Sequence, residues 1–263
     1  MTTGAASAAS TPSTPRTPLP ATARPSRGFR AIAAVVIALR AALGLRILSR
    51  GTGYVPRRGG AVLVWNHTSH LDLIVTMYDV YRRLGRACRF LAVRELWDLP
   101  GFRVIAWLAG PIPVDRGARA SGHDPRGVAI DAVRSGELLM VAPEGRISSD
   151  LEVGPLHTGA VRIARAAQVP LVPSVSFGSH RISTTGRPFS WPRSRGVPIV
   201  VRFGAPLHVG PDDDVTEATA RLRAQLRRLL DAAEHTYPDG MPPGAAWVPD
   251  RLGGGAPAPP DQP

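Results

Sequence analysis

The chain is 263 residues long and 44% hydrophobic, enough for one sizeable core, so one domain with tails is expected. Its 32 basic residues are all Arg and outnumber 20 acids, giving a net charge of +12. A surface that basic suits anionic lipid head groups or phosphorylated substrates, whereas aromatics at 6% of residues are too few for the stacking platforms of a nucleic-acid binder. The single Cys88 excludes a disulfide framework and a cysteine-rich metal site, and fits a reducing, cytosolic setting.

Residues 1–27 are mostly Thr, Pro, Ala, Ser and Gly with a few Arg. They cannot bury enough apolar surface to offset the entropy of ordering, so a disordered tail is expected. They also lack the apolar core and cleavage site of a secretory signal.

The next unit, residues 28–50, predicts a helix lying in a membrane interface. Ala31–Leu39 is an unbroken apolar run, but Arg40 and Arg46 follow it. The run is well short of the roughly 20 residues a membrane span needs. Arg stems among Ile32, Val36, Leu39, Leu43 and Ile47 could reach head-group phosphates. The same amphipathic pattern fits a helix packed on its own domain.

Between Tyr54 and Pro206, strand-like and helical patterns alternate. Strands are expected at Ala61–Trp65, Arg89–Val93, Pro111–Val114, Leu138–Ala142, Leu171–Phe177 and Pro198–Phe203. Helices are expected near 70–84, 101–109, 125–135, 157–167 and 218–234. The alternation predicts an α/β domain over residues 51–236, with a mixed, largely parallel sheet flanked by helices. Residues 237–263 turn Pro- and Gly-rich and read as a loose tail.

Within this pattern, V-L-V-W-N-H-T-S-H-L-D at Val62–Asp72 passes from strand to helix through a polar cluster. If Ser69 caps the helix, His67 lies just before the first turn. The turn can then fold His67 back towards Asp72, which would fix the imidazole tautomer and leave the other nitrogen as a base. That is the base-and-orienter half of a triad, with a substrate hydroxyl as nucleophile. Ser69-His70-Leu71-Asp72 equally reads as a capping box.

Later strands end in comparable chemistry. Gly110–Arg116 ends in Asp115-Arg116, and Leu138–Arg146 ends in Glu144-Gly145-Arg146. In an open α/β sheet, ligands gather at the carboxyl ends of the strands. There the Arg forks suit a phosphate, and Gly145 permits close backbone approach.

In order and spacing, four blocks resemble those of the glycerolipid acyltransferase family, typified by bacterial 1-acylglycerol-3-phosphate acyltransferases. The family has N-H-x-S-x-x-D, G-x-I-x-I-D-R, P-E-G-T-R-S and a V-P-[IV]-[IV]-P-V run. The counterparts are Asn66–Asp72, Gly110–Arg116, Pro143–Ser148 and Val169–Val175. The resemblance covers roughly residues 30–235 and implies a glycerol-3-phosphate acyltransferase-like fold. It further implies transfer of a fatty acyl group from acyl-CoA or acyl carrier protein to 1-acylglycerol-3-phosphate, giving phosphatidic acid. In that reading His67 is the general base and Asp72 orients it. Arg116, Glu144, Gly145 and Arg146 hold the acceptor. The donor is a co-substrate and no cofactor or metal is needed. The enzyme would work peripherally or monotopically at the cytoplasmic face of the cell membrane, on membrane lipids.

The chain departs from the family in the third block. Arg146 follows Gly145 directly, and Ile147 stands where the family has Arg. Pro113, Ala142 and His157 also replace more usual residues. These changes bear on the acceptor, and another lysophospholipid or hydroxylated lipid is the alternative. A metal-dependent hydrolase using His67, His70 and Asp72 is the more distant one.

Overall fold

A computed structural model of the chain describes residues 25–99, 101–115 and 124–257. The expected disordered tail over residues 1–27 falls almost wholly outside them, as does Arg116.

Seven strands form one sheet: β1 (Arg46–Arg50), β2 (Ala61–Trp65), β3 (Cys88–Val93), β4 (Ile112–Val114), β5 (Leu138–Val141), β6 (Leu171–Phe177) and β7 (Pro198–Phe203). Their order is β1-β7-β6-β2-β5-β3-β4. The five from β6 to β4 are mutually parallel, β7 is antiparallel to β6, and β1 runs parallel to β7. The parallel strands therefore bring their carboxyl ends to one edge. The turn into β7 and the start of β1 lie at that edge too.

The helices are α1 (Arg27–Leu43), α2 (Asp72–Leu84), α3 (Phe102–Ala109), α4 (Pro125–Arg134), α5 (Gly159–Ala167), the single turn α6 (Trp191–Ser194) and α7 (Val215–His235). β2, β5 and β6 are buried along their whole length. Helices cover both faces of the sheet, which explains why these strands read as continuous apolar runs and not as alternation. Val62 and Val64 point into a core shared with α4, α5 and α7, while Ala61, Leu63 and Trp65 point into a second core with α2. Each core depends on close packing. Truncating the fully buried Leu63 to Ala should cost about 2–5 kcal/mol.

Two boundaries differ from expectation. The N-terminal helix does not run through residue 50, because Gly44 takes a left-handed conformation (φ +64°) and ends it at Leu43. Arg46–Arg50 then forms β1, whose alternation of Arg with Ile47 and Ser49 suits an edge strand beside β7. Within α1, Phe29 and Ala33 are buried, Phe29 meets Tyr81 edge to face at 5.4 Å, and Gly28 seats against Leu108. One face of α1 is thus packed on the domain while Val35 and Leu39 stay exposed.

The second difference is the stretch after α7, expected as a loose tail from residue 237. Tyr237 and Val248 are buried, the Tyr237 hydroxyl donates to Pro198 O at 2.8 Å, and Arg251 pairs with Glu234 and Glu152. Proline and glycine shape this strap, but two buried side chains and an ion-pair cluster hold it down.

Candidate active site

The site lies at the carboxyl edge, where β2 hands over to α2. Asn66, fully buried, extends the β2–β6 pairing with its side chain. Its Oδ1 accepts from Ser176 N at 2.8 Å and its Nδ2 donates to Ser176 O at 3.2 Å. The strand thus ends rigidly at Asn66, one residue before His67.

Asp72 opens α2 and is fully buried. Its Oδ2 accepts from Ser69 N at 2.6 Å and Thr68 N at 2.7 Å, while Ser69 Oγ accepts from Leu71 N at 3.0 Å. The carboxylate half of a capping box is thus formed, with Asp72 reaching back to Ser69 N, while Ser69 Oγ holds Leu71 N and not Asp72 N. The same Oδ2 lies 3.7 Å from His67 Nδ1, so capping and pairing with histidine occur together. That separation is longer than a hydrogen bond and short enough for a charge contact. The His67 side chain keeps 23% of its surface exposed, and the Trp65 ring sits edge-on at 6.1 Å. Because Nδ1 faces Asp72, Nε2 is the nitrogen left for chemistry.

The loop after β5 grips the backbone of His67 from both sides. His67 N donates to Glu144 Oε1 at 3.0 Å, and His67 O accepts from Ser148 N at 2.6 Å. The other oxygen, Glu144 Oε2, accepts from Gly154 N at 3.1 Å. Burial pushes the Glu144 carboxyl up to about 7, against these two N–H groups, which favour its charged form. Gly145 needs its φ of +68°, and a Cβ there would meet the His157 ring at 3.2 Å. Arg146 is exposed on the same loop. Asp115 pairs with Arg94 at 2.6 Å at the end of β4.

The edge thus brings His67, Asp72, Glu144, Gly145 and Arg146 together on two adjacent strand ends. His70 is exposed, and its Nδ1 sits 3.3 Å from Ser183 Oγ. Asp72 already accepts three hydrogen bonds. No group of three His, Cys, Asp or Glu side chains among the described residues is placed to hold a metal.

Sequence reasoning missed Ser179, whose hydroxyl donates to Asp72 Oδ1. It also missed Thr184, whose hydroxyl donates to Thr68 O at 2.6 Å. The available signal was the run S-V-S-F-G-S, which places hydroxyls in a strand otherwise fully apolar.

The acyltransferase family model matches residues 46–176. A chloroplastic 1-acyl-sn-glycerol-3-phosphate acyltransferase of Brassica napus is 31% identical over 128 residues, covering 48% of this chain and 35% of that protein. The 1-acyl-sn-glycerol-3-phosphate acyltransferase of Salmonella typhimurium is 24% identical over 190 residues, covering 71% and 74%. The chain therefore spans about a third of the first relative's length and about three quarters of the second's. The crystal structure of the 1-acyl-sn-glycerophosphate acyltransferase PlsC from Thermotoga maritima superposes with a TM-score of 0.59 at 22% identity, over 77% of this chain and 78% of that one, and shows the fold. With the matched region running from β1 through β6 and containing the histidine–aspartate turn, the chain belongs to the acyltransferase family, of the 1-acyl-sn-glycerol-3-phosphate acyltransferase type.

Proposed function

We propose that this acyltransferase moves a fatty acyl group from acyl-CoA or acyl carrier protein to the hydroxyl of 1-acylglycerol-3-phosphate, giving phosphatidic acid. The observation that carries the reading is His67, partly exposed at a strand end with Nδ1 3.7 Å from the buried Asp72. His67 Nε2 takes the proton as the acceptor oxygen attacks the thioester carbonyl carbon. The carbon–sulfur bond then breaks, and the departing thiolate takes that proton back. Asp72 stabilises the imidazolium in between. A thiolate leaves readily, so this chemistry asks for no metal or cofactor.

Arg116 and Arg146 are assigned to the acceptor phosphate. The position of Arg146 immediately after Gly145 also favours a second reading, in which another lysophospholipid is the acceptor.

The acceptor lives in a bilayer, which places the enzyme peripherally at a membrane surface, on the cytoplasmic face where acyl thioesters are made. Among the described residues no helix is long and apolar enough to cross a membrane. Support for surface binding comes from Val35 and Leu39 on α1, and from Val104 and Trp107 on the neighbouring α3, all exposed.

The test is a panel of lysophospholipids offered with labelled acyl-CoA and, separately, labelled acyl carrier protein, with and without chelator. Transfer to 1-acylglycerol-3-phosphate that survives chelation is expected. Transfer only to a lysophospholipid bearing a head group would move the conclusion to the second reading, and loss on chelation would overturn the metal-free mechanism.

A further inference from the structure

The connection from β6 to β7, Gly178–Val197, does more than turn the chain. Since β6 and β7 are antiparallel, it lies wholly at the edge that carries His67. It is stitched to the histidine turn by Ser69 Oγ donating to Ser183 O at 2.7 Å and by Thr184 to Thr68. At its far end Gly196 N donates to Leu43 O at 2.8 Å, so it also touches the end of α1.

Its composition is unusual. Between Glu152 and Asp212 the chain has no acidic residue and seven Arg. Four of these are on the connection. Arg181 is paired with Asp239 at 2.9 Å. Among the described residues Arg187, Arg193 and Arg195 have no carboxylate partner. Arg187 also has a buried Nη1 without a hydrogen-bond acceptor. After burial itself, the charges of Arg193 and Arg181 loosen its hold on its proton. Beside them Phe189 and Trp191 are 52% and 45% exposed, with their rings edge to face at 6.4 Å. Exposed aromatic rings interleaved with unpaired guanidinium groups suit a head-group layer, where rings settle below the phosphates that the guanidinium groups bind.

We propose that this connection is a membrane contact in its own right: Phe189 and Trp191 enter the interface of an anionic bilayer while Arg187, Arg193 and Arg195 bind its lipid phosphates. It rests on the reading that the acceptor is a bilayer lipid. Because the same loop is hydrogen-bonded to the histidine turn, docking it would bring the catalytic edge against the surface from which the acceptor comes.

The test is co-sedimentation of the full chain with phosphatidylcholine vesicles, with and without phosphatidylglycerol at about one lipid in four. Arg193→Gln/Arg195→Gln should lower partitioning onto the anionic vesicles by about fivefold per Arg removed, the fold-change equivalent to ~1 kcal/mol each, and leave partitioning onto pure phosphatidylcholine unchanged. Trp191→Ala should weaken binding to both. Both sites are exposed, so the thermal midpoint should stay at the native value; Trp191→Phe should keep most of the binding. Native partitioning in the Arg variant overturns the proposal. Native partitioning together with a raised KM for acyl carrier protein would overturn it in favour of an acidic protein partner. No acyl donor is present in the assay, so failure here leaves the acyl-transfer reading standing. Inactivity with every acceptor would sink that reading without touching the vesicle result.

Discussion

The main-chain N–H of His67 donates to Glu144 Oε1 at 3.0 Å, so the carboxylate at the end of β5 holds the backbone that carries the histidine at the end of β2. With Gly154 N on its other oxygen, both carboxylate oxygens of Glu144 are occupied by main-chain N–H groups. Glu144→Ala leaves two N–H groups without partners, a loss of about 1–3 kcal/mol for each that stays buried. We expect a lower thermal midpoint and a reduced kcat with the acceptor KM near its native value. A raised acceptor KM at unchanged kcat would instead place Glu144 in the phosphate pocket.

His67→Ala should abolish transfer while the fold survives, because the side chain is partly exposed and makes no hydrogen bond of its own among the described residues. Asp72→Asn should cost about a hundredfold or more in kcat, by analogy with other orienting carboxylates. His70→Ala should be mild. Near-native turnover in His67→Ala removes the base assignment.

Ser179 is a positioning residue acting through Asp72. Ser179→Ala removes the only side-chain donor to Asp72 Oδ1 among the described residues, leaving Oδ2 held by two backbone N–H groups. The expected result is a fall in kcat of about tenfold, with both KM values little changed and the pH–rate profile displaced. An unchanged profile would reduce Ser179 to packing.

Arg146 is exposed beside the histidine turn and free to meet an anion, and Arg116 is the last residue of the sequence block Gly110–Arg116. If both hold the acceptor phosphate, Arg146→Ala and Arg116→Ala should each raise the acceptor KM about tenfold or more and leave the donor KM alone. A normal acceptor KM in the Arg146 variant would show that its place directly after Gly145 has turned its fork out of the site.

Stability should carry an imprint of the buried titrating groups. Burial raises Glu144 from its ordinary 4.5 to about 7, and Glu234 likewise to about 7. The folded chain keeps these protons where the unfolded chain has released them. Their contribution is therefore complete below pH 4.5 and is lost as pH rises through 7. His180 runs the other way, lowered by burial from 6.5 to about 4, so its contribution is present above 6.5 and lost as pH falls through 4. Glu144→Gln removes one carboxyl from this balance. Its thermal midpoint, compared with the native chain, should be less unfavourable at about pH 7.5 than at about pH 5. A gap that does not vary with pH would mean that Glu144 is not raised in the folded protein.

By itself the sequence determined the central strands, the helices between them and the turn carrying His67 and Asp72. Long apolar runs bounded by Gly, Pro and Asn have few local alternatives, and a capping box is local chemistry between near neighbours. Tertiary structure decided what depends on distant partners. Arg46–Arg50 is a strand only because β7 offers it an edge, and the Pro- and Gly-rich stretch from Tyr237 is fixed only because Pro198, Glu152 and Glu234 wait for its side chains. Glu144 stands next to Gly145 and Arg146 along the chain, yet 77 residues separate it from the backbone N–H it accepts. Ser179 is 107 residues from Asp72, and no periodicity or motif spacing links a hydroxyl to a carboxylate at that remove. Strand pairing across the sheet brings them together, because parallel strands place residues far apart in sequence at one common edge.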